Sequence, residues 1–571
     1  MASLVELLVA ISPLVAITVL MVGLYWPATR AMPVAWLVAI GAGVYWGMNV
    51  QWLAAASIVG FITATNILWI VFGAILLLYT LRESGAFAVI SQGFAAVSED
   101  RRVQVVLLVF LMGSFIEGAA GFGTPAAIIG PLLVGLGFPP MAAVVVALTG
   151  NLMAITFGAV GTPLIIGMID IFGSVNRIQS QVTGEAGFAS IAAWVNEIAM
   201  WAATFHVIVG VMLPFVGVAM MTRFFGEERS IRPALEVLPL TLFAWAAFSV
   251  PYWLTATFLG PEFPALLGAM VGLFVTVGAL RAGFFHPDEK WEFAPRSAWP
   301  DHWVGDIEPG ESTDESPTVA ADGGAVRSMS LSLAWTPYVV LAVLLVLTRA
   351  WDPLANVLTS TLVLEWTDIL GTGLGESIQV LYLPGAVFVF IHLLTIPLHG
   401  MSSREVKDAW TETAEKVAPA VVALLFAVAT VQIMLQSGEA ISGSSMLIVL
   451  SNTMADVTGA AYPFLAPLVG ALGAFLAGSN TVSDILFGTF QYGVASEIGA
   501  PHTILLGAQA VGGAIGNLIA VHNVVAALAV VGLVGEEGRV IRLELIPLAY
   551  YAAFSGLLAL LFSYVLFPGV F

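Results

Sequence analysis

The sequence contains no cysteine, which excludes disulfides, thiolate metal sites and a cysteine nucleophile. Charge is also scarce: only 10% of the 571 residues are charged, against roughly 25% in soluble globular proteins. Such a chain cannot cover a water-facing surface. Basic residues are fewest, 18 Lys and Arg against 37 Asp and Glu, and the net charge of -19 excludes a nucleic-acid binder. Hydrophilic runs are nearly missing, with residues 284–333 the single long one.

What abounds is apolar. Hydrophobic residues make up 59% of the chain, and the mean hydropathy is +0.98. A bilayer span takes about 20 mostly apolar residues, so the length allows on the order of a dozen spans. The chain reads as an integral membrane protein in contact with the lipid bilayer, multi-pass in the cell membrane. The opening MASLVELLVAISPLVAITVL has no Lys or Arg before its apolar run, so it reads as a first span rather than a signal peptide.

Spans are expected near 5–24, 33–49 and 64–80, followed by an amphipathic stretch at 84–97. Two Gly-rich pieces, 104–117 and 124–136, flank EGAAGFGTP and read as the short arms of a re-entrant hairpin. Segment 140–169 is long enough to span, but Gly158 and Gly161-Thr162-Pro163 interrupt it. Proline removes a helix donor and glycine lowers helix propensity, so a broken helix is expected there. After a polar stretch from Asp170 to about Trp194, spans follow near 199–221, 237–258 and 264–281. The 284–333 segment is acid-rich and carries Pro, Gly, Ser and Thr, as a solvated linker would. The second half offers spans near 335–348, 377–398 and 419–436, then an amphipathic piece at 440–457. Short pieces at 464–477 and 482–496 surround GSNTVSD, an interrupted segment covers 501–534, and a last span lies near 543–567.

The halves repeat each other. GSFIEGAAGFGTP from Gly113 aligns with GAFLAGSNTVSDI from Gly473, and GFPPMAAVVV from Gly137 with GAPHTILLGA from Gly499. Identities are few; the recurring order of span, amphipathic helix, split hairpin, broken helix and final span is the stronger sign. Internal repeats are how many secondary transporters are built. Placing the basic clusters on the cytoplasmic side predicts an all-α polytopic fold of about twelve transmembrane helices in two inverted five-span repeats, open to elevator movement. The first repeat covers 1–222, two linking spans and the acidic cytoplasmic loop cover 223–334, and the second repeat covers 335–571.

Irregular backbone at membrane depth survives only where protein buries it or where it lines a wet cavity. The hairpin tips and broken helices are therefore the candidate site. Helix N-termini suit anions, and no Arg or Lys falls in 104–136, 140–169, 464–496 or 501–534. A carboxylate substrate would be held by backbone dipoles, hydroxyls and amides, with Gly121, Gly123, Thr124, Thr162, Ser479, Asn480, Thr481 and Asn523 as the candidate binding residues. Glu117, a carboxylate in an apolar helix end, is the first candidate for carrying a coupling proton; holding the hairpin in shape is the alternative. Asp484 and His522 are the next candidates. For Asp484 a helix N-cap is the favoured role, and His522 equally suits capping a broken helix. For His206, His392 and His399 packing is the expected role, and for Asn151 and Asn517 interhelical hydrogen bonding.

With EGAAGFGTPAAIIGPLLVGLGFPP at 117–140, NLMAITFGAVGTP at 151–163 and GAFLAGSNTVSDILFG at 473–488, the chain resembles the lactate permease family. The resemblance implies a secondary transporter that imports L-lactate, D-lactate or glycolate by symport with protons. Ser479, Asn480 and Thr481 also resemble the tip motif of sodium-coupled dicarboxylate carriers, which keeps sodium open as the coupling ion. The excess of acid resembles that of halophilic archaeal proteins. An organic-anion channel is the alternative from another class, and it would need a continuous polar pore. An enzyme is disfavoured, since neither His-Glu-x-x-His nor metal ligands at helical spacing occur. No cofactor or metal is expected, and a homodimer stays open.

Overall fold

A computed structural model of the protein describes residues 3–571 apart from 25, 96, 122, 305–328, 442 and 534. Helix α1 (Leu4–Thr18) opens on a capping box: the Glu6 amide donates to Ser3 Oγ at 3.2 Å, and the Ser3 amide to Glu6 Oε2 at 2.7 Å. Helix α2 (Ala28–Trp46) leads into α3 (Val50–Glu83), whose N-cap Asn49 accepts from the Trp52 amide at 2.9 Å. Far longer than the expected 64–80 span, α3 has 34 residues. At 1.5 Å per residue it runs about 50 Å, well beyond a hydrocarbon core of about 30 Å.

The short α4 (Ala86–Ala95) precedes the first hairpin, made of α5 (Arg101–Ala120) and α6 (Thr124–Gly135). The first arm corrects the expectation of two short pieces: α5 has 20 residues and is long enough to cross, because helical turns continue on both sides of 104–117. Segment 140–169 is broken, as expected. Helix α7 (Pro140–Gly150) ends at Asn151, and Ala159, Val160 and Gly161 all have positive φ near the start of α8 (Gly158–Gly173). A 95° bend then joins α8 to α9 (Asn176–Glu185). Three spans follow, α10 (Ile191–Phe225), α11 (Leu238–Phe258) and α12 (Pro264–Arg281).

The start of the acidic segment is solvent-facing, as expected of a solvated linker, yet it is pinned at several points. The Trp291 amide donates to Asp100 Oδ2 at 2.9 Å, Phe293 packs on Phe138 with ring centroids 5.1 Å apart, and Lys290 Nζ lies 3.0 Å from Glu99. Lys290 also pairs with Glu292 at 2.7 Å, and that hydrogen bond holds the Glu292 carboxyl below its ordinary range. Residues 305–328 of the segment lie outside the described residues. Beneath it, the buried guanidinium of Arg102 reaches Asp100 at 2.8 Å, Glu236 at 2.6 Å and the carbonyls of Pro233 and Glu289 at 2.8 and 2.7 Å. This knot ties the foot of α5 to the segment before α11 and to the acidic segment.

The second half begins with α13 (Leu331–Ala350) and α14 (Asp352–Ser360). An antiparallel ribbon, β1 (Val363–Trp366) on β2 (Glu376–Gln379), comes next, in register Val363 with Gln379. It takes the first residues of the expected 377–398 span, so α15 (Pro384–His399) starts later. Side chains of α3 fix the ribbon, Asn66 Nδ2 donating to the Ser377 carbonyl at 3.1 Å and Trp69 Nε1 to the Val380 carbonyl at 3.0 Å. Helix α16 (Ser403–Ile441) has 39 residues and lies against α3. A Cβ on Gly60 would come within 2.5 Å of Ala429 Cα, so the two long helices touch backbone to backbone. After the amphipathic α17 (Met446–Thr458), the second hairpin pairs α18 (Tyr462–Ala477) with α19 (Asn480–Ile498). A second broken segment follows, α20 (His502–Asn517) and α21 (Val521–Ala529), and α22 (Glu537–Leu561) runs on through a helical turn at Phe562–Leu566.

Among the described residues eleven helices are long and apolar enough to cross a membrane, or twelve with the bent pair α8 and α9 as one span. The expected polytopic all-helical class and its number of spans are therefore met. The protein is a multi-pass membrane protein. Long helix, short amphipathic helix, hairpin, broken helix and final long helix occur in that order in each half.

Candidate functional site

All four irregular segments meet at one narrow cleft. The first hairpin contributes Glu117 and Gly121, and the first break contributes Ile155, Gly158, Ala159, Thr162 and Pro163. From the second tip come Gly478, Ser479, Asn480 and Thr481, and from the second break Asn517. Residues more than 350 positions apart in sequence thus form one wall.

Local geometry explains why each is there. The α5 helix ends where Gly121 takes φ 61°, ψ -154°, a conformation that needs glycine. Across from it, Ala159 and Val160 hold φ of 43° and 56°. For a β-branched valine this is a strained conformation, costing about 1–3 kcal/mol, and such strain gathers at ligand clamps and switches. At the second tip Ser479 is the extended residue before α19, and with Asn480 and Thr481 of the first turn it lines the cleft. An N-terminus of that kind carries a partial positive charge.

Glu117 is the one carboxylate among the described residues of the lining and is buried. Its Oε2 accepts from Asn151 Nδ2 at 3.1 Å. A Cβ on Gly158 would sit 2.6 Å from Glu117 Oε1, so the bare glycine is what admits the carboxyl. Among the described residues of the lining there is no Lys, Arg or His. An anion entering here meets amides, hydroxyls and a helix N-terminus. A sequence model describing L-lactate permeases matches residues 6–566, almost the whole chain.

The chain belongs to the L-lactate permease family.

A putative L-lactate permease of Haemophilus influenzae is 28% identical over 94% of this chain and 94% of its own. The glycolate permease GlcA of Escherichia coli is 27% identical over 91% of this chain and 88% of its own. Among solved structures, the Alcanivorax borkumensis YdaH transporter aligns with 87% of this chain and 86% of its own at 15% identity and a TM-score of 0.40. The family is one of permeases, not of enzymes.

Within this permease, Glu117, Gly121, Thr162, Ser479, Asn480 and Thr481 share the cleft, while Gly123, Thr124 and Asn523 stand just outside its lining. Thr124 Oγ1 is buried without a hydrogen-bond partner, and Gly123 abuts Asn523. Asp484 is not an N-cap, because α19 already starts at Asn480 and places Asp484 a full turn inside. It is fully buried, with Oδ1 3.3 Å from Gln509 Nε2 and Oδ2 unpartnered. Behind it runs a relay of amides: Tyr462 OH donates to Gln491 Oε1 at 2.7 Å, and Gln491 Nε2 to Gln509 Oε1 at 2.8 Å. Residue 522 falls within α21, and its side chain lies outside the described residues.

The lone histidines are packed groups, as expected. His206 contacts Thr156 Oγ1 at 2.7 Å through Nε2 and Tyr551 OH at 2.8 Å through Nδ1, tying the first break to α10 and α22. His392 lies 2.6 Å from Thr80 Oγ1, and His399 lies 3.0 Å from Ser84 Oγ. Asn151 makes its interhelical bond to Glu117 itself. Sequence reasoning missed Asn517 as a cleft residue, Gln509 as the partner of Asp484, and the buried Glu544, which meets Thr149 Oγ1 at 3.0 Å. Polar positions inside apolar runs were the available signal for all three.

Proposed function

We propose that the protein imports small 2-hydroxy monocarboxylates, L-lactate first, with D-lactate and glycolate as further substrates, by symport with protons. The family and the names of the two relatives support the substrate class. The cleft carries the reading: two hairpin tips and two broken helices converge on one carboxylate, Glu117, with no basic side chain among the described residues of the lining. An anion held there by neutral donors would meet a carboxyl that must be neutral for the pair to coexist at short range. Glu117 is therefore the coupling group, and Gly121, Thr162, Ser479, Asn480 and Thr481 form the substrate cradle. In this reading the repeats are inverted, the tips enter from opposite faces, and the hairpins move together in an elevator stroke against the long α3 and α16.

Purified protein in liposomes, given labelled lactate under a proton gradient or a sodium gradient alone, tests the proposal. Uptake above equilibrium with the proton gradient and none with sodium is expected. Uptake driven by sodium alone would transfer the coupling to that ion, and a flux that never exceeds equilibrium under either gradient would indicate a channel.

A further inference from the structure

The second break holds an amide pair whose direction can be read from hydrogen bonding. Asn517 closes α20 and lines the cleft, and Asn523 is the third residue of α21. Asn523 Nδ2 lies 2.6 Å from Asn517 Oδ1 and 3.3 Å from the main-chain carbonyl of Asn517. A carbonyl oxygen only accepts. The Asn523 atom facing that carbonyl must then be the amino group, which makes its other neighbour, on the Asn517 side chain, the oxygen. Turning either amide over would set two acceptors or two donors face to face. The Asn517 NH2 is the end left over, and it has no hydrogen-bond partner among the described residues yet is not sealed from solvent.

We infer that Asn517 binds the substrate carboxylate through its side-chain NH2, and that Asn523 is the positioning residue that aims it. This rests on the carboxylate-carrier reading above. The pair adds to the lining that holds Glu117 a side-chain donor with no positive charge. Asn523 is itself held from the other side, since a Cβ on Gly123 would come within 2.7 Å of its Oδ1. The first hairpin tip thus backs the residue that orients the donor of the second break. Loss of Asn523 would free the Asn517 amide to present its oxygen, and an oxygen repels a carboxylate.

Two near-isosteric variants separate aim from packing, with lactate exchange between loaded pools in liposomes as the assay. In Asn517→Asp a carboxylate oxygen still accepts from Asn523, so the bond between α20 and α21 survives, but the donor facing the cleft becomes an acceptor. The half-saturation concentration should rise by about tenfold or more, with the maximal exchange rate and the melting temperature held, as expected for one hydrogen bond to a charged group. In Asn523→Asp the amino group is gone, Asn517 must turn its NH2 toward the new carboxylate, and the half-saturation concentration should rise as well. A half-saturation within about twofold of wild type in Asn517→Asp overturns the contact. A rise in Asn517→Asp with none in Asn523→Asp overturns the positioning role. If the wild-type protein itself shows no saturable lactate exchange, the carrier reading fails first and this inference falls with it.

Discussion

Replacing Glu117 by Gln removes the proposed proton site and little else. The new amide oxygen can still accept from Asn151 Nδ2, as Oε2 does at 3.1 Å, and the amino group takes the place of the oxygen beside Gly158. The twelve described residues of the cleft lining include one carboxylate, so the proposed coupling through Glu117 implies one proton per substrate anion. A lactate anion with one proton is neutral, and membrane potential then drops out of the driving force. Each unit of pH difference supplies about 1.4 kcal/mol, or about tenfold accumulation. Wild-type liposomes clamped at zero potential should therefore concentrate labelled lactate about tenfold per pH unit, after subtraction of the leak of undissociated acid into empty liposomes. Glu117→Gln should stay near a ratio of about one under the same conditions, while exchange between two lactate-loaded pools continues. Loss of both activities together with a lower melting temperature would mean that Glu117 serves to shape the hairpin. Accumulation by Glu117→Gln at the wild-type ratio and pH dependence would refute its coupling role and turn attention to Asp484 and His522.

Gly121→Leu should abolish uptake while the protein stays monodisperse on gel filtration, because φ of 61° disfavours any side chain and a Cβ there meets Ala159 at 3.1 Å; normal affinity would refute the close approach of substrate to that backbone. Arg102→Met should destabilise the protein by about 3–5 kcal/mol, the usual effect of stripping the partner from a buried charge, since Asp100 stays buried without its guanidinium. A melting temperature equal to wild type would show that the knot contributes nothing net. Single cysteines placed at Thr124 and at Ser479, one at each tip of a chain with none of its own, should react with an impermeant thiol reagent from opposite faces in different transport states; equal labelling of both from one face throughout would rule out inverted hairpins.

Much of the fold was legible because membrane insertion writes itself into local composition. Spans such as Leu238–Phe258 and Pro264–Arg281 fall where their apolar runs do, and the broken helices fall where glycine and proline interrupt such runs. Helix length was less legible. The α3 and α16 helices overrun their apolar windows because helical turns continue through polar residues such as Arg82 and Glu412, which pair with each other at 2.7 Å. The ribbon of β1 and β2 was missed for a similar reason: it is held by Asn66 and Trp69 of a distant helix rather than by its own pattern.

The sequence by itself determined the solvent of this protein, its helical class, its repeated element order and the residue types available for chemistry. Each of these depends on neighbours within a few turns. Which polar groups share the cleft was decided only by the tertiary structure. Asn151 bonds Glu117 across 34 positions, while Asn480 and Glu117, 363 positions apart, line the same wall. Asp484 passes from a presumed cap to a fully buried carboxylate through where α19 starts and what α8 packs against it, a Cβ on Gly167 lying 2.8 Å from the Cβ of Asp484. Helix ends and side-chain partners of this kind depend on packing between distant segments, and packing has no periodicity that a single sequence can display.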